Sequence, residues 1–398
     1  MKILILTDVF YPDTIGGAGR MAYHVGLGLS QRGHDVHMIT RNTGGKFNAD
    51  ELLAPKMRVH RFDCPEKESL SLFFSEIRKS YALAKRLISQ IKFDLICTHQ
   101  TLVAIGPLRY NRNERLPVIH YYHSPWHEEY LIKKLSNGRQ GINTRLISRV
   151  MRWMEKRIVY KADKVIVLSD YMKEKVSALH HYPEVKIAKI PGGVDLNRFH
   201  LPEGGKTSAK ETLHFPQDKM IFLTVRNLVP RMGLENLINA FHGSEALRRK
   251  ALLFIGGQGP LEKKLQSMVH QLHLQDAVHF LGHIPDDDLP RFYQAADFFV
   301  LPTTKLEGFG LVILEAMASG TPVLGTPVGA IPEIIGAFDK RLLFKSTDQS
   351  NIQGKMEDFI NAPERYRFSQ EACRHFILNN FSWEKVVEMF KEETKNLV

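Results

Sequence analysis

Short apolar runs alternate with helix-like segments along this chain, and the alternation starts afresh near its middle. Lys2–Leu6 is such a run, followed by a turn and a helical pattern with Met21, Val25 and Leu29 on one face. Further runs stand at 93–99, 117–122, 162–168 and 187–190. A second series begins with Met220-Ile-Phe-Leu-Thr-Val225 and continues at 251–255, 278–284 and 295–301. Strands separated by a helix run parallel, and the crossovers cover both faces of their sheet. The predicted fold is therefore α/β, with two doubly wound parallel-sheet domains. A length of 398 residues suits two domains that each bury a core. The polar stretch Pro202-Glu-Gly-Gly-Lys-Thr-Ser-Ala reads as their linker, and no repeat is visible beyond the two halves.

One stretch carries the chemistry. In Glu307-Gly-Phe-Gly-Leu-Val-Ile-Leu-Glu315, two carboxylates flank a Gly308-Phe-Gly310 turn that leads into an apolar run. Leu311, Leu314 and Ala318, with Ile313 and Met317, recur at helical spacing, and Gly320 with Pro322 stops the helix. Glu307 then lies in the loop before the helix and Glu315 within its early turns. The first helical amides lack intrahelical partners and carry partial positive charge. They suit a phosphorylated ligand, with a carboxylate on either side to accept protons from sugar hydroxyls. The plainer alternative is a surface helix with a solvated Glu at each end.

In open α/β sheets, ligands collect beyond the carboxyl ends of the strands. The first strand here runs into Ile15-Gly16-Gly17-Ala-Gly19-Arg20, whose glycines let the backbone approach a phosphate. His99, His120, His123 and His127 lie at or just beyond the ends of two other strands. The strand 220–225 ends in Arg226-Asn227-Leu-Val-Pro230-Arg231-Met232-Gly233.

The formal charge of +11 favours anionic partners, and no nucleic-acid-binding motif accompanies it. Residues 133–164 combine Lys133, Lys134, Arg139, Arg145, Arg149, Arg152, Lys156, Arg157 and Lys161 with an apolar series from Leu146 to Ile158. This reads as a basic amphipathic helix, either a solvated face over a packed core or a surface for anionic lipid. Leu70-Ser-Leu-Phe73-Phe74 could add an apolar edge to it. Cys64, Cys97 and Cys373 lack paired spacing, which fits a reducing cytosol rather than a disulfide framework or a zinc site. No run reaches the ~18 apolar residues of a membrane span, so a cytoplasmic chain, free or peripheral at the inner membrane face, is expected. Asp286, Asp287 and Asp288 read as a helix-start cluster, and no metal site is expected.

These motifs together resemble retaining GT-B glycosyltransferases of the family 4 type. The likeness rests on the E-x7-E pair at Glu307 and Glu315, on Gly33-His-Asp-Val and on Pro191-Gly-Gly-Val-Asp195. Gly257-Gln-Gly259-Pro260 and the close match of 226–233 to G-R-L-V-P-x-K-G extend it over nearly the whole chain. It implies two Rossmann-like domains, 1–198 plus 380–398 on the acceptor side and 199–379 for the nucleotide sugar, with the last helix crossing back to the first domain. It also implies a metal-independent hexosyl or N-acetylhexosaminyl transferase with no cofactor besides its nucleoside diphosphate sugar donor. By the same resemblance, Gly16, Gly17, the amides at Phe309, Gly310 and Leu311, and Arg226 or Arg231 hold the diphosphate. Glu315 takes the ribose hydroxyls, Glu307 positions the donor sugar, and His123 contacts that sugar. The chain departs from the family in the clamp, where Asn227 and Met232 stand in the Arg and Lys positions. The acceptor implied is a cell-envelope glycan, a lipid-linked sugar or a small molecule. The alternatives are an impaired scaffold of the same fold and a sugar-nucleotide epimerase.

Overall fold

The computed structural model describes residues 1–11, 13, 16–65, 70–136, 141–366 and 368–397. Ile15 of the Gly-Gly turn and Arg139 of the basic stretch therefore lie outside the described residues. The chain divides into two compact units. One comprises Met1–Leu131, Gly141–Gly192 and Trp383–Val398, and the other Ile132–Gln140 and Gly193–Ser382.

Among its described residues the first unit holds an eight-stranded sheet. Its strands are β1 (Lys2–Leu6), β2 (Asp35–Thr43), β3 (Asp50–Ala54), β4 (Met57–Cys64), β5 (Leu95–Thr98), β6 (Val118–Tyr121), β7 (Lys164–Val167) and β8 (Ile187–Lys189). Their order is β3-β4-β2-β1-β5-β6-β7-β8, and every pair is parallel except β3 with β4. Ile3, Leu4, Ile5 and Leu6 of β1 are wholly buried, as a central strand covered on both faces requires. Helix Trp383–Thr394 packs in this unit, close enough that a Cβ at Gly28 would lie 2.5 Å from Val387.

The second unit holds β9 (Met220–Val225), β10 (Ala251–Gly256), β11 (Val278–Gly282), β12 (Phe298–Leu301) and β13 (Val323–Gly325). All pairs are parallel, in the order β11-β10-β9-β12-β13. The chain leaves β9 for β10 on one side and later returns to β12 on the other, so the topological switch lies between the ends of β9 and β12.

Two local expectations need correction. The stretch 202–209 is not a plain linker: it turns helical at Gly205–Thr212, because Ala209 and Lys210 are buried and Lys210 Nζ donates to Asp297 Oδ2 at 2.8 Å. The basic stretch 133–164 is not one helix; its described part falls into the end of Trp126–Ser136, helix Ile142–Val159 and the start of β7. The apolar residues of Ile142–Val159 do not all face the core. Ser148, Met151, Glu155, Ile158 and Val159 are buried, while Leu146 is 57% and Trp153 54% exposed, with Ile147 and Val150 exposed beside them.

Candidate active site

In the second unit, β9 delivers Arg226 and β12 leads through Pro302 and Thr303 to Glu307. The two side chains meet at the switch, where Arg226 Nη2 donates to Glu307 Oε2 at 2.5 Å. Thr303 Oγ1 lies 3.5 Å from the same carboxylate oxygen. Met232, in the position where a lysine was expected from the resemblance, packs its sulfur 2.9 Å from Arg226 Nη2 and 3.3 Å from Nε. Among the described residues Nη1 of Arg226 has no intramolecular partner. Asn227 is exposed.

The loop carrying Glu307 is tightly bounded. A Cβ at Gly233 (φ 71) would lie 1.9 Å from Pro302 O, and one at Gly329 (φ 61) 2.2 Å from Glu307 O, so only glycine permits these approaches. Ala330 N donates to Glu307 O at 2.9 Å. Leu306, buried and aliphatic, adopts φ 55, a left-handed conformation that costs a residue of this kind about 1–2 kcal/mol. Arg231 Nη1 donates to the Leu306 carbonyl at 2.8 Å.

Helix Leu311–Ala318 follows, with Gly310 at φ 93 as its N-cap. Phe309 is buried, with its ring edge-on to Phe381 at 6.1 Å. Glu315, also buried, accepts from Tyr293 Oη at 2.9 Å. Glu307 and Glu315 thus flank in sequence a helix N-terminus that has no side-chain cap, and neither is a solvated surface carboxylate. The partners Thr303 and Tyr293 were missed in the sequence, since nothing in their local pattern marks them.

Asp286 and Asp288 are engaged with arginines. Arg198 bonds the Asp286 carbonyl and lies 3.5 Å from its carboxylate, and Asp288 pairs with Arg291 at 3.6 Å. Among the described residues no cluster of three or more His, Cys, Asp or Glu side chains could hold a metal ion.

In the first unit, Gly16 precedes helix Gly17–Gln31 in an extended conformation that any residue adopts. The tighter approach is at Gly19, where a Cβ would lie 2.9 Å from Val9 O. His123 follows β6, and its Nε2 lies 3.1 Å from Nδ1 of the buried His99, whose ring stacks on Tyr121 at 4.5 Å. Burial lowers His123 to about 4, so it is a neutral hydrogen-bonding ring at pH 7. His120 bonds Thr98 Oγ1 at 2.6 Å, and His127 bonds Glu155; both are packing residues.

Comparison with known proteins bears on both units. A family profile described as Glycosyltransferase Family 4 matches residues 15–198, and one described as Glycosyl transferases group 1 matches 205–376. An uncharacterized glycosyltransferase of Methanocaldococcus jannaschii is 29% identical over 84% of this chain and 83% of its own length. A GDP-mannose-dependent alpha-(1-6)-phosphatidylinositol monomannoside mannosyltransferase of Mycolicibacterium smegmatis is 31% identical over 59% of this chain and 62% of its own. Among solved structures, a sucrose-phosphate synthase from Thermosynechococcus elongatus superposes with a TM-score of 0.86 at 23% identity, covering 100% of this chain and 98% of that one.

Proposed function

This chain is a GT-B glycosyltransferase of the family 4 type, and on that premise we propose that it moves a sugar from a nucleoside diphosphate sugar to an acceptor hydroxyl with retention of anomeric configuration. The observation that carries the reading is the meeting of Arg226 and Glu307 just before the N-terminus, without a side-chain cap, of the helix that also bears Glu315. The bond between the anomeric carbon and the diphosphate oxygen breaks, the acceptor oxygen takes its place, and the acceptor's hydroxyl proton passes to the departing diphosphate oxygen. Charge growing on the departing diphosphate is the main obstacle, and fixed donors oppose it most effectively. Arg226 Nη1 and the amides at Phe309, Gly310 and Leu311 are assigned that task. Glu315 is assigned the ribose hydroxyls and Glu307 the donor sugar. The cationic clamp makes the reaction metal-independent in this reading. The test is incubation of UDP-, GDP- and ADP-sugars with a lipid and glycan acceptor panel in EDTA, with the product anomer read by NMR. Retained configuration without added metal is expected; an inverted product, or activity only with Mg²⁺ or Mn²⁺, contradicts it.

The acceptor is assigned to the surface of an anionic membrane. Among the described residues no helix is long and apolar enough to cross a membrane. Helix Ile142–Val159 instead turns Leu146, Ile147, Val150 and Trp153 outward, flanked by exposed Arg145, Arg149, Arg152, Lys156 and Arg157. Burying such a stripe in the headgroup region gains apolar transfer energy, and each cation adds about 1 kcal/mol at an anionic surface. The relative that uses a phosphatidylinositol mannoside is consistent with such an acceptor. Sedimentation with anionic vesicles at low salt, weakening as salt rises, is the expected result. Equal recovery in the supernatant with neutral and anionic vesicles returns the stripe to a plain solvated face.

A further inference from the structure

In the structure Arg231 grips the backbone that carries Glu307. Its Nη1 donates to the Leu306 carbonyl at 2.8 Å, while its own carbonyl accepts from Thr304 N at 2.8 Å and from Thr304 Oγ1 at 3.2 Å. One residue thus holds the loop by side chain and main chain across 304–306. Leu306, whose carbonyl takes the side-chain bond, is a buried aliphatic residue in the left-handed region. Such a conformation persists only where its surroundings enforce it. We propose that Arg231 is a positioning residue: by holding Leu306 left-handed it fixes the direction in which the Glu307 carboxylate leaves the loop.

The peptide between Leu306 and Glu307 is held from both sides, by Arg231 at the Leu306 carbonyl and by Ala330 N at the Glu307 carbonyl. If the first hold is released, Leu306 relaxes to negative φ and the peptide rotates. The carboxylate then swings away from Arg226 and from the sugar. The catalytic consequence rests on the role proposed above for Glu307; the mechanical one does not.

Two variants of the full chain separate this role from that of a phosphate ligand. Arg231→Met keeps an apolar stem and removes the donors, and Arg231→Lys restores one. Hydrogen exchange over 303–310, kcat and KM for the donor, and affinity for UDP, GDP and ADP are then compared with wild type. Arg231→Met should speed exchange over 303–310 and lower kcat about tenfold to a hundredfold. It should leave nucleoside diphosphate affinity within about threefold of wild type, less than the loss of a charge-assisted bond. Arg231→Lys should recover most of both effects. Unchanged exchange in Arg231→Met overturns the proposal whether or not the chain turns over. Weakened diphosphate affinity with kcat preserved also overturns it and makes Arg231 a phosphate ligand. Faster exchange in a chain whose wild type turns over no donor leaves the grip standing and removes the transferase reading instead.

Discussion

Arg226 Nη2 donates to Glu307 Oε2 across 2.5 Å, joining residues 81 apart in sequence at the carboxyl ends of β9 and β12. Their side chains are only 7% and 11% exposed. Removing one partner of such a pair strands a buried charge and typically costs about 3–5 kcal/mol, whereas replacing both by neutral groups costs much less. Arg226→Met should therefore lower stability by about that amount in urea denaturation. Combining it with Glu307→Gln should recover most of the loss without restoring donor turnover. A single variant as stable as wild type contradicts the pairing.

Tyr293 and Glu315 make a similar point on a smaller scale. The tyrosine hydroxyl is the buried donor that orients the carboxylate. Tyr293→Phe should cost about 1.5–3 kcal/mol, the value of a hydrogen bond to a charged group. Donor affinity should fall with it, because the carboxylate loses this buried donor. Denaturant midpoint and donor KM check the two effects separately.

Asp8 and Glu76 give the first unit a pH dependence. Glu76 is fully buried, with Arg41 Nη1 3.6 Å from its carboxylate. Burial first, then the Asp8 carboxylate, pushes Glu76 up to about 10, and burial raises Asp8 as well, so the pair keeps a proton at neutral pH. An acid raised in the folded state contributes stability that is complete below its ordinary value of 4.5 and is lost as pH rises toward the folded value. Stability should fall between pH 5 and pH 10 by up to about 1.4 kcal/mol per pH unit. Glu76→Gln should flatten that slope and be the more stable protein at pH 8. Parallel stability profiles for variant and wild type contradict the assignment.

The membrane reading has its own variants. Trp153→Ser with Leu146→Ser removes the two most exposed of the four outward apolar groups and should weaken vesicle binding at every salt concentration. Arg145→Gln with Arg149→Gln should weaken binding by about 2 kcal/mol at low salt and less at high salt. Neither pair touches the buried face of the helix, so thermal midpoints should hardly move. Unchanged sedimentation of both double variants contradicts the reading.

Much of the fold was legible because its strands are continuous apolar runs bounded by Gly, Pro and Asp. β9 and the helix after Gly310 fall where the sequence predicts. Less could be read where tertiary contacts decide. The stretch at 202–209 has linker composition, yet the bond of buried Lys210 to Asp297 draws its end into a helix. The periodicity at 142–159 reveals an apolar stripe but not which face meets the core. That choice follows the Glu155 side chain, which turns inward to His127 and to Trp126 N. The Arg226–Glu307 pair depends on β9 lying beside β12, a strand order that local sequence does not encode. Leu306 carries no left-handed signal at all.

The central claim is that this chain grips a nucleoside diphosphate through Arg226 despite Met232 and Asn227. Thermal midpoints of wild type and Arg226→Met, each with UDP, GDP or ADP and with the matching nucleosides, test it most directly. A ligand at a hundred times its Kd stabilises the native state by about 2.7 kcal/mol. One diphosphate should raise the wild-type midpoint well beyond its nucleoside, and that difference should vanish in Arg226→Met relative to its own ligand-free midpoint. If no diphosphate shifts the wild type more than its nucleoside does, the chain is a disabled transferase and the scaffold reading stands in place of this one.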